Sequence, residues 1–285
     1  MKKILAVLLA MLTVLLCACS AQTPEKKEDC VLATTAPVAQ IVSCLLDGTG
    51  IASQQLITEP VSCLHDYSLS VEQMKKAEGC SLVVISGLGL EDFMADVIKS
   101  CPDCIEAAYD VSTLPGEDGE DPHVWMTPEN MIVMTETVSG ALQARYPDHA
   151  QRIAENEAAY RRELEALNAY GKKQLAQLSC RKLVTFHDGF SYFADAYNLE
   201  IAAAMELEPG SEPSAKELEA IIAIVRESAI PAIFVETNGT ADAASIIAAE
   251  TGAAVFSLDM AMSLDGKTYL DVMKQNIDTI KEALK

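Results

Sequence analysis

The chain has 285 residues, half of them hydrophobic, and its 42 acidic and 21 basic residues give a formal net charge of −21. This length suffices for two domains of ordinary size with a substantial core. A nucleic-acid-binding protein needs a basic surface, so the charge argues against nucleic acid as a partner. An acidic surface attracts cations instead.

The N-terminus has the pattern of an export signal. A basic start (Met1–Lys3) precedes an apolar segment, 4–16, which is too short to span a membrane but has the length of a signal-peptide core. A small residue directly before Cys19 is typical of bacterial lipoprotein signals, in which that cysteine becomes the lipidated first residue. Cys17 follows the bulky Leu16 and is a poorer candidate, and an ordinary secretory signal is the alternative.

We therefore predict a signal peptide over 1–18 and a polar lipid tether over 19–29. The protein is then expected outside the cytoplasm, held at the cell membrane by the lipid on Cys19.

The cysteine pattern indicates few disulfides. Of nine cysteines, Cys17 and Cys19 belong to the signal, which leaves seven, an odd number, so at least one is free or pairs with another molecule. Cys101 and Cys104 alone have the spacing of a local pair, and whether they form a small disulfide loop stays open. The others lie singly in apolar runs, as buried small hydrophobic residues do.

Strands and helices alternate in both halves of the sequence. In the first half we predict strands at 31–34, 55–61, 81–85 and near 107–110, and helices at 36–46, 71–77, 91–99 and 128–145. In the second half we predict strands at 182–185, 199–205, 232–235 and 254–258, and helices at 190–197, 215–227, 241–251 and 269–284. This alternation is typical of doubly wound α/β domains with parallel sheets.

A long helical pattern separates the halves, at 149–178, with apolar residues at near-heptad spacing. About thirty helical residues reach roughly 45 Å, enough to run the length of two lobes. We predict an N-terminal lobe (30–148), this linking helix and a C-terminal lobe (179–285), in a monomer. A coiled-coil partner for the apolar stripe is the alternative.

Three of the four histidines lie where a strand or loop meets a helix, namely His65, His123 and His187. Asp259 follows the last predicted strand. In doubly wound sheets the carboxyl ends of the strands share one edge, where ligands bind. Neutral imidazole and carboxylate suit zinc or manganese. His149 lies in a charged stretch at a helix start and is expected to be an ordinary surface residue.

Several segments resemble the bacterial solute-binding lipoproteins of zinc and manganese ABC importers. They are HDYSLSVEQMKKAEGCSLVVISGLGLEDF (65–93), DPHVWMTPEN (121–130), LVTFHDGFSYFADAYNLE (183–200), EPSAKELEAI (212–221), AIFVETN (232–238) and SLD (257–259). They occur in the family's order and cover nearly the whole mature chain. The resemblance implies two α/β lobes joined by one long helix, with a metal ion in the cleft between them. It also implies an ABC permease as partner and four metal ligands: His65, His123, His187 and Asp259.

Two departures leave alternatives open. The family often has Asp-Pro before its first histidine, whereas Cys63 and Leu64 stand here, so Cys63 is an additional candidate ligand. Met260 follows Asp259 where the family often has proline, and Glu236 is therefore a substitute for Asp259.

The metal and the function follow from the resemblance. Zinc-binding members often have histidine as the third ligand and manganese-binding members glutamate, so His187 favours Zn²⁺, with Mn²⁺ as the alternative. We expect a protein that captures the ion outside the membrane and delivers it to an ABC importer, and that is not an enzyme.

Two other functions stay open at this stage. One is a surface adhesin or structural lipoprotein that uses the metal for stability. The other is a zinc hydrolase with Asp188 or Glu236 as general base, although the chain has no HExxH motif.

Overall fold

The computed structural model describes residues 28–285 except 62–63, 65–66, 102, 117–118, 206–212, 238 and 240. The predicted signal peptide, Cys19, Cys63 and His65 therefore lie outside the described residues. Within the described part of the chain, no helix is both long enough and apolar enough to cross a membrane.

The first half forms one α/β lobe. Its strands are β1 (Glu28–Ala33), β2 (Ala52–Gln55), β3 (Cys80–Ile85) and β4 (Cys104–Glu106). Its helices are α1 (Ala36–Leu46), α2 (Val71–Gly79), α3 (Ala95–Ser100) and α4 (Pro128–Arg145). The strands are parallel and ordered β2-β1-β3-β4.

The second half repeats this architecture. Its strands are β5 (Lys182–Thr185), β6 (Glu200–Ala204), β7 (Ala232–Glu236) and β8 (Ala254–Leu258). After the linking helix α5 (Ala150–Gln174), its helices are α6 (Ser191–Ala196), α7 (Ala215–Glu227), α8 (Asp242–Thr251) and α9 (Tyr269–Leu284). The parallel sheet has the order β6-β5-β7-β8. The predicted fold class, two α/β lobes with parallel sheets joined by one long helix, is confirmed.

Two predicted strands were wrong in position. The second begins at Ala52 and ends at Gln55, where the prediction began, and the fourth is Cys104–Glu106 rather than 107–110. β2 is an edge strand of polar, largely exposed residues, so the apolar run after it misled the prediction. That run is not a strand, although its first residues, Leu56 and Ile57, are buried in the core.

The linking helix α5 is part of the core. Its buried residues lie on one face, which packs against α1, α4 and α9. The apolar stripe is therefore covered by helices of the same chain, and the coiled-coil alternative is unnecessary. The helix ends earlier than expected, at Gln174. Directly beyond its end, the Arg181 guanidinium donates to the carbonyl oxygens of Leu175 and Ala176, both at 3.0 Å.

One hydrophobic core extends through both lobes. It includes residues of both sheets and of α5, and its largest fully buried side chains include Trp125, Phe193 and Tyr269. A smaller cluster fills the other face of the second sheet. The lobes are therefore joined by shared packing as well as by the linking helix.

A buried carboxyl group joins β1 to β3 at the carboxyl edge of the first sheet. Glu91 is 3% exposed and accepts hydrogen bonds from the Thr34 hydroxyl (2.6 Å) and the backbone N–H groups of Ser86 (2.7 Å) and Gly87 (3.0 Å). Burial raises the pKa of the Glu91 carboxyl, because removal from water opposes its ionisation more than these donors favour it.

This raised pKa predicts a pH-dependent effect of Glu91→Gln. The folded protein binds the Glu91 proton more tightly than the unfolded chain does, so this group's contribution to stability falls as the pH rises above about 4.3, the unfolded value. Glutamine cannot ionise. Relative to Glu91→Gln, the unfolding free energy of the wild-type protein should therefore fall as the pH rises from about 4 towards neutrality.

Urea unfolding at several pH values measures this difference. Glu219→Gln, at an exposed position on α7, is the matched control and should show no such trend. A wild-type advantage that grows with pH would mean that the hydrogen-bond donors outweigh burial.

Candidate metal centre

β5 and β7 lie side by side and deliver two polar residues to the carboxyl edge of the second sheet. His187 follows β5 and is 5% exposed, and Glu236 ends β7 and is 8% exposed. The chain turns in opposite directions from β5 to β6 and from β7 to β8, so this edge is the topological switch point of the sheet, where ligands bind in open α/β folds. His187 Nδ1 lies 3.3 Å from Glu236 Oε1, within the distance of an ion pair if the ring is protonated.

The first lobe supplies His123 from the segment before α4. A 3₁₀ turn, Val124–Met126, follows it directly, and Thr127 caps α4 by accepting from the Glu129 N–H. Asp121 holds His123 twice through its Oδ1 atom, which accepts from the His123 backbone N–H (2.9 Å) and lies 2.8 Å from the ring Nδ1. Both residues are buried, so this arrangement is shielded from water.

The two imidazole rings meet between the lobes. His123 Nε2 and His187 Nε2 are 3.2 Å apart, and the ring planes are perpendicular. Each Nδ1 faces a carboxylate, which favours a proton on Nδ1 and leaves each Nε2 with a lone pair. Two lone pairs at this distance repel each other unless a cation or proton lies between them.

The Nε2 separation fits one shared ion. Two nitrogens that bind one tetrahedral zinc at about 2.05 Å each lie about 3.3 Å apart, close to the 3.2 Å observed. The sequence prediction that His123 and His187 converge across the two lobes therefore agrees with the geometry.

Asp259 directly follows β8, on the same sheet as His187. Its backbone is held by Asn276, whose Oδ1 accepts from the Asp259 N–H (2.9 Å) and whose Nδ2 donates to the Asp259 carbonyl (2.7 Å). Its Oδ1 accepts from the Ala261 N–H at 2.8 Å, and partial burial raises the pKa of the carboxyl. The next residue, Met260, reaches Gly189, next to both histidine rings.

The described residues alone do not complete a metal site. Among them, no group of three or more His, Cys, Asp or Glu side chains is arranged to hold a metal ion. His65 and Cys63 lie outside this part of the chain. Leu64, directly before His65, is buried in the core shared by both lobes.

The remaining candidates have other surroundings. His149 ends the 3₁₀ turn Pro147–His149 at the start of α5, as expected for an ordinary structural residue. Cys104 is a free thiol, and burial raises its pKa to about 11. The Cys101 thiol donates to the Val97 carbonyl at 3.3 Å.

Asp121 is a functional candidate that the sequence reasoning missed. In the sequence it is the first residue of the DPHVW motif, which predicts no separate role for it. A carboxylate two residues before a histidine is the available signal, because a short side chain at that spacing can reach both the backbone and the ring.

Residues 31–283 match the family described as ZnuA, zinc-uptake complex component A, periplasmic. The chain belongs to this family. The predicted resemblance to metal-binding solute-binding proteins is thereby confirmed.

Individual relatives bind different metals, according to their names. The zinc-binding lipoprotein AdcA of Streptococcus pneumoniae serotype 4 is 29% identical over 311 residues, which cover 99% of this chain and 61% of AdcA. This chain thus spans about three fifths of that relative's length. The manganese-binding lipoprotein MntA of Bacillus subtilis is 27% identical, with 96% of each chain covered.

A solved structure agrees with the fold. The Zn(II)-bound ZnuA-like domain of Streptococcus pneumoniae AdcA superposes with a TM-score of 0.80 at 27% identity, covering 90% of this chain and 98% of that domain.

The crowding at Gly189 generates a prediction. A Cβ atom there would lie 2.2 Å from Met260 Cε, 2.8 Å from His123 Cδ2 and 2.9 Å from His187 Cδ2. Gly189→Ala should therefore destabilise the protein by about 1–3 kcal/mol, because the rings and Met260 must shift. Urea unfolding of the metal-free protein measures the change.

The matched control is Gly140→Ala, at an exposed position in α4 where a Cβ atom meets nothing within 4 Å. It should stabilise the protein by up to about 1 kcal/mol, since alanine favours helix. Equal effects from the two substitutions would contradict the crowded geometry.

Proposed function

We propose that this chain is the extracytoplasmic solute-binding component of an ABC importer for a divalent metal ion, with zinc as the preferred cargo. The observation that carries the proposal is the His123–His187 pair, whose Nε2 atoms lie 3.2 Å apart at the junction of the lobes. Membership of the zinc-uptake component family supports it.

The donor chemistry favours zinc. Imidazole nitrogen is a good ligand for zinc and binds manganese less strongly. The AdcA relative is named for zinc and the MntA relative for manganese, so the family scaffold is compatible with either ion. We propose manganese as the alternative cargo.

We further propose that His65 and Asp259 complete the ligand set with His123 and His187. A set of three histidines and one carboxylate suits a closed tetrahedral site. Asp259 is supported by its place at the end of β8 and by the contact of its neighbour Met260 with Gly189. In this proposal Glu236 orients His187 through Nδ1 and does not bind the ion.

We do not propose an enzymatic activity. Glu236, a candidate general base for a hydrolase, faces His187 Nδ1. Asp121 likewise faces His123 Nδ1. These carboxylates are placed to orient imidazole rings rather than to activate a water molecule on the Nε2 side.

For delivery, we propose that residues 1–18 are a signal peptide and that a lipid on Cys19, followed by the tether 19–29, holds the protein at the membrane. The N-terminal lobe (30–148), linking helix (149–178) and C-terminal lobe (179–285) then act as a monomer that docks on the permease. The extensive core shared by the lobes favours capture and release through small shifts rather than wide separation.

Metal analysis of the purified protein tests the proposal. Native mass spectrometry, with competition between zinc and manganese, should find one tightly bound, exchangeable divalent ion per chain. His123→Ala and His187→Ala should each weaken zinc binding by more than about 100-fold, because loss of a ligand should exceed the 10–100-fold typical of its outer-shell partners. Binding should also weaken as the pH falls and imidazole is protonated.

His149→Ala is the matched control, since His149 lies at the start of α5 and belongs to no proposed ligand set. It should leave zinc affinity unchanged. Equal losses in all three variants would show that the site is misassigned, and a wild-type chain that binds no divalent ion would refute the proposed function.

A second comparison distinguishes the two carboxylates. Glu236→Gln should weaken zinc binding by about 10–100-fold, as expected for a residue that orients a ligand. Asp259→Asn should weaken it more, because a direct anionic ligand is lost. Isothermal titration with a competing chelator measures both.

Asp195→Asn, an exposed position on α6, serves as the control and should have no effect. The reverse order, with Glu236→Gln the more damaging change, would make Glu236 the fourth ligand.

A further inference from the structure

The side chain of Tyr192 connects the two lobes next to the metal centre. Tyr192 lies on α6 in the second lobe and is 4% exposed. Its hydroxyl accepts a hydrogen bond from the Leu114 N–H (2.9 Å) and donates one to the Asp121 carbonyl (2.8 Å). One hydroxyl group of the second lobe therefore binds the backbone of the first lobe at two points.

These two points are joined to each other. The Asp121 N–H donates to the Leu114 carbonyl at 2.9 Å, so Leu114 and Asp121 are paired backbone positions at the two ends of the acidic segment between them. Tyr192 completes this pairing from the side. Its hydroxyl uses both its donor and its acceptor capacity, which fixes the Asp121 main chain in position and orientation.

Asp121 connects Tyr192 to His123, one of the two histidines of the metal centre. The Asp121 carbonyl accepts a hydrogen bond from the Tyr192 hydroxyl. The Asp121 carboxylate accepts one from the backbone N–H of His123 and lies 2.8 Å from the ring Nδ1. A shift of the Asp121 backbone would therefore rotate or displace the His123 ring, since the ring's orientation depends on that carboxylate.

Tyr192 is close in sequence to one of the two histidines. It follows His187 by five residues, after the tight turn at Gly189, and α6 packs against the turn that follows His123. The segment 187–192 thus contains one histidine, His187, and through Tyr192 it also contacts Asp121, which orients His123. The 3.2 Å distance between the two Nε2 atoms depends on both.

We propose that Tyr192 is a positioning residue of the metal centre, and that its hydroxyl keeps His123 aligned with His187 and so slows loss of the bound ion. This inference rests on the proposed function, because it concerns retention of the same cargo. Tyr192 does not touch the ion and acts through Asp121.

Tyr192→Phe removes the hydroxyl and keeps the ring. Zinc should dissociate about five- to tenfold faster, as expected for the loss of about one net hydrogen bond. The association rate should be unchanged, because the charge around the site is the same. Stopped-flow transfer of zinc from the protein to a chelator measures dissociation, and mixing zinc with metal-free protein measures association.

Tyr197→Phe is the matched control. Tyr197 caps the end of the same helix and is 3% exposed, and among the described residues its hydroxyl has no hydrogen-bond partner. It should leave both rates unchanged. Faster dissociation in both variants would overturn the inference, because the effect would then come from general packing.

A double-mutant cycle tests the route through Asp121. In an Asp121→Asn background, Tyr192→Phe should add much less than its effect in the wild-type protein, since both act on the same ring. Fully additive effects would overturn the route. A Tyr192→Phe protein with a lower unfolding temperature but the wild-type dissociation rate would mean a purely structural role.

Hydrogen exchange in the wild-type protein provides a test that needs no variant. If the Tyr192 contact helps to retain zinc, zinc must by linkage stabilise that contact. Removing zinc should speed exchange of the Leu114 amide, which donates to Tyr192. Unchanged exchange would overturn the inference while leaving zinc binding intact, whereas a wild-type chain that binds no zinc would refute the proposed function as well.

Discussion

The candidate site depends on two carboxylates, each of which faces the Nδ1 atom of one imidazole ring. Asp121 lies 2.8 Å from His123 Nδ1, and Glu236 lies 3.3 Å from His187 Nδ1. Because both carboxylates face Nδ1, both Nε2 atoms are directed towards the space between the lobes. The β5–β7 pairing, the 3₁₀ turn after His123 and the packing around Gly189 all serve this one constraint.

The fold class could be predicted because strands and helices alternate along the chain and buried parallel strands are apolar. β2 could not be placed correctly, since its residues are Ala-Ser-Gln-Gln and it is paired on one side only. The end of α5 was also missed. The apolar spacing continues past Gln174, whereas the chain there forms a turn whose Leu175 and Ala176 carbonyl groups accept from Arg181.

The sequence could predict only part of the candidate site, because some of its contacts form only when distant segments pack together. The ends of strands and loops predicted His123, His187 and Asp259, because parallel strands bring their carboxyl ends to one edge. The structure brings the two histidines together, and Asp259 stays a prediction. The role of Glu236 could not be assigned in this way: a carboxylate at the end of a strand can face either an ion or the back of a neighbouring ring. No sequence motif marks Tyr192, because its bridging of Leu114 and Asp121 exists only in the assembled pair of lobes.

Trp125 has a consequence for observing this protein. It is the chain's one tryptophan, and it is almost fully buried. Its indole N–H donates to the Met260 carbonyl of the opposite lobe at 2.7 Å, and its ring centre lies 5.4 Å from that of His123. Indole emission depends on the polarity around the ring, so the protein contains its own optical reporter. Unlabelled protein would therefore signal any rearrangement where the two lobes join.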